Sequence, residues 1–174
     1  MGGDNRGDTR TGNGADRLYH NLRDGSFVEV GREAGLAGDS SGRGGAAAWA
    51  DYDRDGWLDL FVTNGYGPPP AGEGPHRLYT NMGGSNHWLE LQLVDSQGGL
   101  GNGARVVLWA GEHAQTRQQT GGASLFSQNS QVLHFGLGQA TLVDRLIIEW
   151  PSGRRQELEQ VTVDQLLVVR EEGE

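Results

Sequence analysis

The chain has 174 residues, no cysteine, 14 basic residues that are all arginine, and a net charge of −9. That excludes disulfides, thiolate metal sites, cysteine nucleophiles and lysine Schiff-base chemistry, and the acidic balance opposes nucleic acid and anionic membrane surfaces as partners. The 30 glycines follow no G-X-Y period, so collagen is excluded, and no apolar run reaches the length of a membrane span.

The first residues, Met1 to Asp8, carry no signal-peptide core. They include Arg6-Gly7-Asp8, a tripeptide that integrins read on mobile loops, and one that also arises by chance in a chain rich in these residues. An internal repeat follows. Arg17-Leu18-Tyr19-His20-Asn21 recurs 60 residues later as Arg77-Leu78-Tyr79-Thr80-Asn81, each after a glycine-rich loop and before a turn. That period is the scale of a propeller blade or array unit. The first copy leads into a predicted hairpin partner, Ser26–Val30; the second leads into His87–Leu93.

Between the copies lies Asp51-Tyr52-Asp53-Arg54-Asp55-Gly56-Trp57-Leu58-Asp59. Its carboxylates stand at positions 1, 3, 5 and 9, with glycine at 6. Calcium takes six to eight hard oxygen ligands, and aspartates this close converge only if the chain turns sharply. Gly56 permits the turn because it tolerates positive φ. Position 7 offers the backbone carbonyl of Trp57. Without a cation the carboxylates repel one another, and a divalent ion reverses that term. Position 12 is Val62 rather than the glutamate of an EF-hand. The residues after the loop alternate, with Leu58, Leu60 and Val62 on one side and Trp57, Asp59 and Phe61 on the other, which predicts a strand over Trp57–Thr63. The competing reading is an aspartate-rich surface turn held by side-chain to backbone bonds.

The loop and its flanks, Gly45-Ala46-Ala47-Ala48-Trp49-Ala50 and Leu58-Asp59-Leu60-Phe61-Val62-Thr63-Asn64, resemble the FG-GAP/VCBS repeat that builds β-propeller blades. The resemblance implies calcium (Ca2+) as the cofactor, with side-chain ligands Asp51, Asp53, Asp55 and Asp59 and a backbone ligand at Trp57. Superimposing the repeat copies sets Gly65–His76 on Asn5–Asp16, so the chain starts where a preceding calcium-loop strand would have ended. One calcium unit does not close a propeller, which needs about four blades or more, and open strand edges need a partner or a cover. The expected partners are therefore further copies, as a homo-oligomer or filament, or the rest of a longer propeller chain.

From about Asn86 the pattern changes. Strands are predicted at Trp88–Val94, Ala104–Ala110, Ala114–Thr120, Val132–Leu137, Val143–Trp150, Gln156–Val161 and Gln165–Arg170. Seven short strands with regular turns read as a β-sandwich. Gly98-Gly99-Leu100-Gly101-Asn102-Gly103 is a turn rather than a dinucleotide fingerprint, because strand follows it and no helix opens. Ser127-Gln128-Asn129-Ser130 reads as a structural polar turn. Gly103-Ala104-Arg105-Val106, Gln128-Asn129-Ser130, Leu133-His134-Phe135-Gly136-Leu137-Gly138 and Trp150-Pro151-Ser152-Gly153 resemble the ASPIC/UnbV domain, which commonly follows FG-GAP/VCBS repeats in cartilage acidic proteins and bacterial secreted proteins. That domain implies no established reaction.

The remaining residues offer no catalytic constellation. His20, His76, His87, His113 and His134 show no zinc spacing. His134 alternates with Leu133 and Phe135, and so faces outward or satisfies a local bond. No nucleophile elbow or paired base is present. Trp49, Trp57, Trp88, Trp109 and Trp150 pack inside the sheets or line a sugar-stacking platform. The expected architecture is all-β: residues 1–85 form a partial β-propeller blade unit and residues 86–174 a β-sandwich-like domain. The expected role is a non-enzymatic, extracellular, calcium-binding structural or adhesion module without catalytic residues. A carbohydrate-binding module that recognises glycans is the alternative, and a hydrolase stands behind it.

Overall fold

The computed structural model describes residues 16–22, 24–36, 44–64, 74–122 and 127–173. The Arg6-Gly7-Asp8 tripeptide and most of the two loops matched by the repeat lie outside these residues. The described residues form twelve strands and no helix, so the chain is all-β. The strands belong to two units. One comprises residues up to Ala47 together with Leu60–Tyr79; the other comprises Ala48–Asp59 and Thr80–Glu174. The chain passes between them after Ala47, after Asp59 and after Tyr79. The acidic loop lies in the same unit as the C-terminal strands.

In the first unit, β1 (Tyr19–Asn21) and β2 (Phe27–Glu29) form an antiparallel hairpin with Tyr19 opposite Glu29. Gly25 makes the turn at a φ of 88°, and Asp24 accepts from the Ser26 N–H at 2.8 Å. Strand β3 (Ala46–Ala50) joins β4 (Asp59–Thr63) and β5 (Arg77–Tyr79) in a sheet with β4 at its centre. The Thr63 hydroxyl accepts from the Ala46 N–H at 2.9 Å, and the Thr63 carbonyl accepts from Gly45. The two copies of the repeated pentapeptide pair differently: β1 pairs with the strand after it, whereas β5 pairs with β4 before it.

The second unit holds two sheets. One has the order β11 (Arg155–Thr162), β10 (Leu142–Glu149), β7 (Arg105–Ala110), β8 (His113–Gln118). The other has the order β12 (Gln165–Arg170), β6 (His87–Val94), β9 (Leu133–Gly138), with β12 parallel to β6. Period-two alternation buries one face of each strand. Leu89, Leu91 and Leu93 of β6 meet Val106 and Leu108 of β7, Phe135 of β9 and Leu146 and Ile148 of β10 in one core. Glu90 and Gln92 stand on the opposite face of β6. The glycine-rich segment before β7 folds back on the end of β6, with Asp95 N–H donating to the Gly99 carbonyl and Gly101 N–H to the Leu93 carbonyl. Strand follows it, as its turn chemistry requires.

None of the five tryptophans is exposed. Trp150 is in the core, and the Arg145 guanidinium lies over the Trp109 ring at 5.5 Å. Trp49, Trp57, Trp88 and Trp109 are half-buried.

Candidate metal centre

The loop between β3 and β4 turns through two left-handed residues, Arg54 at a φ of 63° and Gly56 at 90°. Its aspartates serve as local acceptors. Asp51 Oδ1 accepts from Asp55 N–H at 3.1 Å and Asp51 Oδ2 from Gly56 N–H at 2.9 Å. Asp53 Oδ1 accepts from Asp55 N–H at 3.3 Å, and Asp55 Oδ1 from Trp57 N–H at 2.8 Å. Short polar side chains that bond backbone two to five residues on hold such turns without a helix.

Asp59 closes the loop. It is 3% exposed. One of its oxygens accepts from Tyr52 N–H at 2.9 Å and the other from Asn81 N–H at 2.8 Å. Asn81 is the last residue of the repeated pentapeptide, and its amide also donates to the Leu58 carbonyl at 3.4 Å. Asn81 thus clasps the end of the acidic loop.

Carboxylate oxygens of Asp51, Asp53 and Asp59 lie within 4.8 Å of one another. Oxygens sharing one calcium ion at 2.3–2.6 Å are never more than about 5 Å apart, so this donor set fits a single hard cation. Each oxygen already accepting an N–H retains a second lone pair for an ion. Asp55 is not part of this trio; its carboxylate is turned to the Trp57 N–H. Trp57 is half-buried, with its ring against Gly83 and Gly84. The structure therefore brings together three of the four expected side chains, places Asp55 beside them, and puts Trp57 at the exit of the turn. Strand pairing begins at Asp59, two residues later than the alternation predicted, because Trp57 and Leu58 complete the turn.

The loop sits on the outward face of β6 and β9. The Gly56 carbonyl accepts from His134 Nε2 at 2.9 Å; a carbonyl only accepts, so Nε2 carries the proton. A Cβ built on Gly56 would lie 1.7 Å from the Trp88 ring. Glu90 is opposite His134 in the ladder and is buried. Burial, and secondarily the negative charge of Asp51, push its carboxyl up to about 7. Burial also lowers the His134 imidazole, partly opposed by the Gly56 carbonyl. His134 was expected to face outward or bond locally. It faces outward, but its partner is 78 residues away in sequence. Alternation could not reveal this, because it reports only a face.

The polar turn at Ser127–Ser130 clamps the strand entering the loop. Asn129 Oδ1 accepts from Trp49 N–H at 3.0 Å, and Ser130 N–H donates to the Trp49 carbonyl at 3.0 Å. A cleft of about 440 Å³ adjoins it, lined by Trp49, Leu58, Arg117, Asn129 and His134 among others.

Two family models match the chain. The FG-GAP-like repeat matches residues 6–62, and the ASPIC and UnbV model matches residues 95–174. Strand β6 falls between the two matched segments. Among curated relatives, cartilage acidic protein 1 of Mus musculus is 33% identical over 124 residues, which is 69% of this chain and 18% of that protein. The protein of the same name from Homo sapiens is 32% identical over 124 residues, with the same coverage, and that from Xenopus tropicalis is 32% identical over 122 residues. The chain thus spans less than a fifth of the length of these relatives.

Proposed function

Because this chain carries an FG-GAP-like repeat followed by an ASPIC and UnbV domain, we propose that it is a non-enzymatic, calcium-binding extracellular module with a structural or adhesive role. The observation that carries the reading is the convergence of Asp51, Asp53 and Asp59 oxygens within 4.8 Å inside a segment matched by the repeat model. Calcium bound there by Asp51, Asp53, Asp59, the neighbouring Asp55 and the Trp57 carbonyl neutralises the repulsion and fixes the entry of β4. The extracellular placement draws on the relatives' name, cartilage acidic protein, and on a chain with no thiols to oxidise. Titrating calcium into the metal-free protein by calorimetry tests the reading. One-site binding that is lost in Asp53→Asn supports it, and no heat at millimolar calcium defeats it.

Assembly belongs to the same proposal. Among the described residues β1 and β2 pair only with each other, and Phe27 is 61% exposed. We infer that this hairpin is completed by strands of further blades or of a neighbouring chain. Light scattering in calcium and in chelator separates the two: calcium-dependent assemblies favour neighbouring chains, and a monomer in both favours further blades.

A second reading, glycan binding, draws on the cleft beside Trp49 and Arg117. Quenching of tryptophan fluorescence by glycans, lost in Trp49→Ala, is its test.

A further inference from the structure

We propose that His134, on the ASPIC/UnbV sandwich, is a positioning residue for the acidic loop, so that the ion site is held by the sandwich as well as by the repeat. This rests on the calcium reading above. The loop's own aspartates bond its backbone and shape the turn, and a further hold comes from outside the motif. Gly56 occupies the sixth position, between the carboxylates at positions 5 and 9. Its carbonyl takes the Nε2–H of His134 at 2.9 Å, and its Cα lies against the Trp88 indole with no room for a side chain.

The same peptide region is also tied to the ligands. Gly56 N–H donates to Asp51 Oδ2 at 2.9 Å. A single glycine therefore links a trio carboxylate on its N–H side to an imidazole of β9 on its carbonyl side. His134 is partly buried on a strand whose neighbours, Leu133 and Phe135, pack toward the core. The imidazole therefore cannot follow a loop that drifts; the loop must come to it. Such preorganisation lowers the ordering cost of binding, so it appears in the affinity and not only in folding stability.

The test uses the full chain. Calcium affinity is measured by calorimetry for wild type, His134→Leu and His134→Gln, well below their melting temperatures. Glutamine can place an amide N–H near the position of Nε2, and leucine cannot. Leucine is expected to weaken calcium binding roughly five- to tenfold, the loss of one hydrogen bond, and glutamine to restore it to within about twofold. Wild-type binding with an unchanged constant in His134→Leu overturns the positioning role while leaving the calcium reading intact. No binding by wild type defeats the calcium reading itself, and this inference with it. Should His134→Leu not fold, hydrogen exchange of wild type decides. Calcium-induced slowing that extends to β6 and β9 supports the coupling, and slowing confined to residues 45–63 overturns it.

Discussion

Gly56 abuts the indole of Trp88 so closely that a Cβ at this position would lie 1.7 Å from a ring carbon. Its φ of 90° is itself left-handed. The residue thus meets two separate demands, one from the turn and one from the sandwich surface. Gly56→Ala must strain the backbone by about 1–2 kcal/mol and displace Trp88 as well. We expect a loss of at least about 2 kcal/mol in denaturant unfolding. Trp88→Ala in the same background should recover part of it, because the clash is removed and the strain remains. Full additivity of the two changes would contradict the contact.

Asp53 is exposed, whereas Asp59 is buried with both oxygens bonded to backbone N–H groups. Asp53→Asn keeps an acceptor for Asp55 N–H and removes one charge from the trio. In chelator its melting temperature should equal or exceed that of wild type, since repulsion is relieved. In calcium the wild type should gain several degrees and the variant little. An equal calcium response in both proteins would remove Asp53 from the site.

Glu90 sets a pH dependence of unusual sign for a carboxylate. Its folded value is pushed up to about 7, chiefly by burial, above the ordinary value near 4.5. The folded chain therefore holds a proton that the unfolded chain has released. Metal-free stability should fall as pH rises from about 4.5 to 7, by about 2 kcal/mol, and level off above. Glu90→Gln should flatten this slope and be the more stable protein at pH 8. Urea unfolding at pH 5 and pH 8 in chelator reads the difference.

Glu171 behaves in the opposite sense. It accepts from the Ser152 hydroxyl and from Ser96 N–H at 3.1 Å, and the Ser152 bond is the main cause holding its carboxyl below the usual range. Its contribution is present above the unfolded value and is lost as pH falls through the folded one. Ser152→Ala should therefore cost stability at pH 7, and its difference from wild type should shrink as pH falls below about 4.5, because the bond it removes is one that wild type also loses in acid. Circular dichroism melts across pH 3–7 check this.

The acidic loop, the pentapeptide repeat and most sandwich strands were legible from the chain itself. Spacing of aspartates and period-two alternation are local properties, and they survive whatever the strands later pack against. Strand β12 matches its predicted bounds, Gln165–Arg170, because its four consecutive apolar residues are bounded by the polar Gln165 and Arg170. Strand β3 is not legible in this way: its run of alanines carries neither alternation nor strong β-propensity, and it is a strand because Thr63 and the Ser127–Ser130 turn supply its partners. Tertiary structure alone decided that residues 48–59 join the sandwich, that Asn81 clasps Asp59, that Asp55 stands outside the trio, and that His134 reaches Gly56. Each is a contact between residues far apart in sequence, or a choice of rotamer within a turn. Periodicity says which face a side chain takes and nothing about what arrives there.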